Sequence, residues 1–142
     1  MSKKYSQLQN CACAALRQSS RLITQLYEDA FKAESITAAQ FNVLGVLANT
    51  GPIPVSQLAT VMVQDRTGLT RNLKVMEKNG WIIFQPGSDR RVKQVVPTKE
   101  GLTKLDNTIP LWEEIQAEAA KQLGDLSALQ AQLETLKKLT EA

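Results

Sequence analysis

The sequence predicts a mainly α fold: a winged helix-turn-helix with long N- and C-terminal helices that form a dimerisation region. Three observations carry this. Asp65 to Lys78 has helical periodicity with one apolar and one cationic face. Directly after it come two short β-rich runs joined by a turn that carries Arg90 and Arg91. Both ends of the chain are long amphipathic helical patterns with no sheet to cover.

On a helix, Thr67, Thr70, Arg71, Lys74 and Lys78 share one face, and Leu69, Leu73 and Met76 take the opposite one. One side can therefore pack while the other offers hydroxyls and cations without an acid among them, which suits the DNA major groove. Asp65 is placed to cap the first turn, and Asn79-Gly80 supplies a stop. Charge along the chain agrees. Residues 64–93 hold seven Lys/Arg against three Asp/Glu, whereas residues 99–142 hold five against eight, so the net charge of +3 hides a cationic middle.

The 142 residues suit one domain, expected as a winged lobe over 36–98 with dimerisation helices at 1–35 and 99–142. No apolar run approaches the length of a membrane span, and Arg17 breaks the first apolar stretch, so a cytoplasmic protein without membrane contact is expected. Histidine is absent, which removes the commonest general base and metal ligand. An enzyme is therefore disfavoured, and no cofactor or metal is expected.

In chain order, Ser6 to Lys32 carries a stripe of Leu8, Ala12, Ala15, Ser19, Leu22, Ile23, Leu26 and Ala30 at helical spacing. Thr37 opens a second helix with Phe41, Leu44, Val46 and Leu47, stopped near Gly51-Pro52. Ile53 allows a minimal strand, and Val55 to Met62 a short third helix. Ala59 and Leu69 suit the small and buried positions of a helix-turn-helix, although valine, Val63, stands where glycine is frequent in its turn. Trp81–Phe84 and Val92–Val96 form the wing strands. Thr98 then caps a helix to about Leu123, in which Pro110 should kink or split it. Ser127 and Gln130 suggest a capping box for the last helix, whose Leu129, Leu133 and Leu136 make a seam. Those terminal faces need each other or a second copy, and a two-fold dimer would present two recognition helices one DNA turn apart.

With these elements in place the chain resembles the MarR family of bacterial winged-helix regulators over essentially its whole length. The most specific residues are Asp65-Arg66-Thr67-Gly68-Leu69-Thr70-Arg71-Asn72-Leu73, Asn79-Gly80-Trp81, Asp89-Arg90-Arg91 and Thr98-Lys99-Glu100-Gly101. The resemblance implies that Arg66, Thr67, Thr70 and Arg71 meet bases and nearby phosphates. It also implies that Asp89 holds Arg91, whose guanidinium enters the minor groove. The expected DNA-binding set is thus Arg66, Thr67, Thr70, Arg71, Lys74, Asp89, Arg90 and Arg91. The implied function is a dimeric repressor on a pseudo-palindromic double-stranded operator, released by a small aromatic effector.

The alternative is a thiol-based redox-sensing repressor using Cys11 and Cys13. Cys11 flanks the apolar stripe and suits a small buried hydrophobe, the commonest fate of a free cysteine. Both thiols are nonetheless expected in the first turns of a helix, where the dipole favours thiolate, and relatives in the family sense oxidants from a similar place. A winged-helix protein-interaction module is a further reading, disfavoured because dry partner interfaces are depleted of lysine.

Overall fold

The computed structural model describes residues 3–141. A helical turn, α1 (Lys3–Ser6), and a 3₁₀ turn lead to Cys11, which is extended. The helices that follow are α2 (Ala12–Phe31), α3 (Ala38–Thr50), α4 (Val55–Met62), α5 (Arg66–Lys78), α6 (Lys99–Leu123) and α7 (Ser127–Thr140). The strands β1 (Ile53–Pro54), β2 (Ile82–Pro86) and β3 (Lys93–Pro97) form one antiparallel sheet in the order β1-β3-β2. This is the predicted mainly helical winged fold. The wing strands lie one or two residues later than their composition suggests, with Phe84 opposite Val95 and Pro86 opposite Lys93.

The core sits under the helix-turn-helix. Leu69, Leu73 and Met76 of α5 are fully buried against Leu44, Leu47, Leu58, Ile82 and Val95. That apolar face was legible in the periodicity and fixes which side of α5 faces water. Thr37 begins α3 with a full capping box: its hydroxyl accepts the Gln40 N–H at 3.1 Å, and the Gln40 side chain accepts the Thr37 N–H at 3.0 Å.

A tight joint links wing and terminal helices. Thr98 caps α6 by accepting the Gly101 N–H at 3.0 Å, and its hydroxyl donates to the Gly80 carbonyl at 2.5 Å. A Cβ on Gly101 would lie 2.1 Å from the Trp81 carbonyl oxygen, so only glycine lets α6 approach so closely. Lys104 closes the joint, donating to the Glu34 carbonyl at 2.8 Å while lying over the Trp81 ring. Farther along, α6 packs on α2, where the Tyr27 hydroxyl donates to Gln116 Oε1 at 2.5 Å.

Four expectations are corrected. The first helical pattern does not run through from Ser6, because the extended backbone of Cys11 breaks it and α2 starts afterwards. Pro110 does not split α6, which is one continuous helix. Both Pro110 and Asp106, whose carbonyl loses its helical donor, are exposed, so water can satisfy that carbonyl. Ser127 is not the cap of α7. The Asp125 carboxylate accepts the Ser127 hydroxyl at 2.7 Å and its N–H at 2.9 Å, and these bonds, the hydroxyl first, hold the Asp125 carboxyl below the usual carboxylate range. Finally, Cys11 is not buried: both cysteines are free and exposed within the single chain.

Candidate nucleic-acid interface

Asp65 sets the start of α5. Its carboxylate accepts the Gly68 N–H at 2.8 Å, which aims the first turn and the side chains it carries. Arg66, Thr67, Arg71 and Lys74 are then exposed and Thr70 half-buried; Thr67, Arg71 and Lys74 lie opposite Leu69, Leu73 and Met76, and Arg66 and Thr70 flank that apolar face beside the wing. These five residues border one shallow surface groove along α5.

The wing closes a second, deeper space. Arg66, Thr70 and Lys74 of α5 line a cleft of about 540 Å³ together with Val55 and Ser56 at the start of α4 and Phe84, Arg91, Val92 and Lys93 of the wing. Four cations from two elements thus converge on it, with Glu77 the one acid among its lining residues. Within the turn, Arg91 folds back on Asp89. Its backbone N–H donates to Asp89 Oδ1 at 3.0 Å, and its guanidinium reaches both carboxylate oxygens at 3.3 and 3.4 Å. The backbone bond first, and the guanidinium second, hold the Asp89 carboxyl below the usual carboxylate range. The arginine remains 90% exposed, so the pair orients its charge without removing it from solvent.

Arg90 is exposed at the tip and does not line the cleft. Sequence reasoning missed Ser56 and Lys93. Lys93 sits opposite Pro86 in the β register and within 6.0 Å of the Phe84 ring, a cross-strand placement that only the pairing reveals. Ser56 is brought in by the packing of α4 on α5, which no local pattern encodes.

The chain resembles known regulators closely. The MarR family profile matches residues 36–93. The transcriptional activatory protein BadR of Rhodopseudomonas palustris is 30% identical over 89% of this chain and 79% of its own length. The M. tuberculosis transcriptional regulator MosR, crystallised in complex with DNA, superposes with a TM-score of 0.84 at 32% identity, covering 93% of this chain and 97% of that one.

The chain belongs to the MarR family.

A third relative, the HTH-type regulator YwoH of Bacillus subtilis, is 31% identical over 64% of this chain, a match spanning 66% of YwoH, just under two thirds. As a MarR-family member the chain is a DNA-binding transcriptional regulator and not an enzyme. Among its described residues no helix is long and apolar enough to cross a membrane. Two other features stand apart from the cationic cleft. Cys11 caps α2, its Sγ accepting the Ala14 N–H at 3.5 Å, and Cys13 lies in the first turn. A larger cleft of about 860 Å³ lies between α3, the helix-turn-helix turn and helices α6 and α7.

Proposed function

We propose that this MarR-family chain is a homodimeric repressor that reads a pseudo-palindromic operator and is released by a small aromatic effector. The observation that carries the reading is the convergence of Arg66, Lys74, Arg91 and Lys93 on one cleft between recognition helix and wing. In it α5 enters the major groove with Arg66, Thr67, Thr70, Arg71 and Lys74. Arg91, steered by Asp89, enters the neighbouring minor groove, and Arg90 holds phosphate. Residues 36–98 form the reading lobe. Residues 1–35 and 99–142 hold the partner, which accounts for exposed Leu16, Leu22 and Leu26 on α2 and Leu129, Leu133, Leu136 and Leu139 on α7.

The effector occupies the larger cleft, lined by Phe41, Ile109 and Trp112 and bordered by Val61, Met62 and Val63 of the helix-turn-helix turn. A ligand there touches both the DNA-reading lobe and the terminal helices, the contacts a release mechanism requires. A second reading is supported by the exposure of both thiols and by the position of Cys11 at the N-terminus of α2, open to an oxidant. In that reading oxidation, and not a ligand, releases DNA.

The test is to select bound sites from random DNA, then follow affinity with rising salt, with aromatic compounds and with peroxide. A specific site whose affinity falls steeply with salt supports the DNA reading; binding without sequence preference would overturn it and favour a protein-interaction module. Loss of binding with aromatics assigns ligand release, and loss with peroxide that Cys11→Ser/Cys13→Ser prevents assigns thiol sensing. A reporter under the selected site separates repression from activation, the role that BadR's name gives to that relative.

A further inference from the structure

The cleft between the reading lobe and the terminal helices has a one-sided charge. Its aromatic wall is Phe41 and Trp112, stacked with ring centroids 6.5 Å apart and planes 26° from parallel. Beside the amides of Asn42, Asn49 and Gln130, its one charged lining residue among those described is an acid. Asp106 lines the cleft, and among the described residues its carboxylate makes no ion pair and no hydrogen bond. The carbonyl of the same residue lacks its helical donor, because Pro110 has no N–H. Asn49 gives its amide N–H to the Gly45 carbonyl at 3.0 Å, which leaves its oxygen for a visitor. Among the described residues no lysine or arginine lines the space. The surrounding terminal region adds to the bias, with eight Asp/Glu against five Lys/Arg over residues 99–142.

An aromatic carboxylate bound here would set a second negative charge beside an uncompensated one. A neutral phenol would use one acceptor and leave the Asp106 charge unanswered. An aromatic ammonium answers the carboxylate, donates up to three hydrogen bonds and is attracted to ring faces. Asp106 and Trp112 lie about 9 Å apart along the axis of α6, a separation that one ring with an aminomethyl arm bridges. We infer that the cleft takes a small aromatic cation, a protonated aromatic amine with its ring on Phe41 and Trp112 and its ammonium on Asp106. This rests on the reading of the cleft as the effector site and adds the charge of the ligand.

Three probes sharing a tolyl ring isolate that charge: 4-methylbenzylamine, 4-methylphenol and 4-methylbenzoate, titrated calorimetrically into the full chain at neutral pH. The amine is expected to bind about five- to tenfold more tightly than the phenol, with the benzoate weakest. Asp106→Asn, an exposed change whose fold is checked by circular dichroism, should remove the amine's advantage and leave the phenol unchanged. Glu114→Gln, an acid on α6 outside the cleft, should preserve the advantage. Preference for phenol or benzoate, or equal effects of the two substitutions, would overturn the cation assignment while leaving the cleft as an effector site. Failure of all three probes to bind would overturn both.

Discussion

At the scale of single residues, the proposed interface divides into groups that read bases and groups that hold phosphate. Arg71 is exposed on α5 and makes no ion pair among the described residues, so its guanidinium is available for a bidentate contact to guanine. Arg71→Ala is expected to cost about 1–3 kcal/mol of discrimination between the operator and single-base variants, with a smaller loss on random DNA. Fluorescence anisotropy on both DNAs decides it, since equal losses would assign the side chain to phosphate. For Arg91→Ala the expected result is weaker binding and a salt dependence shallower by about one counterion. An unchanged slope would remove the wing from the interface.

Asp89 makes this wing insensitive to pH. A carboxyl held below its unfolded value stabilises the paired state above that value and loses the effect only as pH falls through the lower folded one. The Asp89–Arg91 pair is therefore complete at all pH above the carboxylate range, and the sequence contains no histidine to titrate nearer neutrality. Operator affinity at constant salt should be flat between about pH 5.5 and 8. A sigmoidal loss centred in that window would show that another group controls the wing.

Among the elements, the helix-turn-helix turn is where local sequence and structure disagree. Val63 adopts a left-handed backbone, φ 52° and ψ 50°, as the cap of α4, a conformation that glycine takes freely and a β-branched residue rarely does. The strain of such a residue is about 1–2 kcal/mol, while glycine carries an entropy cost of about 0.5–1 kcal/mol. Val63→Gly is thus expected to stabilise the chain by up to about 1 kcal/mol in urea unfolding, since its exposed side chain contributes little packing. A clear destabilisation would mean that the Val63 side chain packs in the native assembly, which the partner or the cleft would have to supply. Gly101→Ala is the converse. Its Cβ would meet the Trp81 backbone at 2.1 Å, and backbone cannot step aside as a side-chain tip can, so a loss of about 2–3 kcal/mol is expected.

The same comparison shows what a single sequence makes legible. The two faces of α5, the Asp65 cap and the turn at Arg90-Arg91 are local patterns, and each was readable because helix and hairpin periodicities bring neighbours in sequence together. Lys93 and Ser56 were not, because strand register and helix–helix packing brought them to the cleft. Pro110 misled because its penalty depends on whether the freed carbonyl meets water, which exposure decides. Ser127 misled because an aspartate two residues earlier competed for the same N–H. Cys11 looked buried because a helical stripe was extended across it, while the backbone there is extended.

For the whole molecule, the decisive question is what covers the terminal helices. α7 buries none of its residues within its own chain, and Leu129, Leu133, Leu136 and Leu139 are 47%, 39%, 44% and 73% exposed. α2 repeats the pattern, with Leu16, Leu22 and Leu26 exposed and only Phe31 buried. Leu16 and Leu136 border one shallow groove within the chain and stay exposed there, and a second copy related by a two-fold axis would cover both helices at once. That axis would place two α5 helices about 34 Å apart, one turn of duplex. Binding at two half-sites then gains from effective concentration, so loss of the dimer should weaken operator binding by about a hundredfold or more. Removing the chain from Ser127 onward is expected to give a monomer by sedimentation velocity that retains only weak, half-site binding. Because truncation can also impair folding, Leu129→Glu/Leu136→Glu provides a second route, changing two exposed side chains that bury nothing in the single chain. If either variant stays dimeric and binds the operator as the parent does, the dimer runs through another surface and the terminal leucines have a different partner.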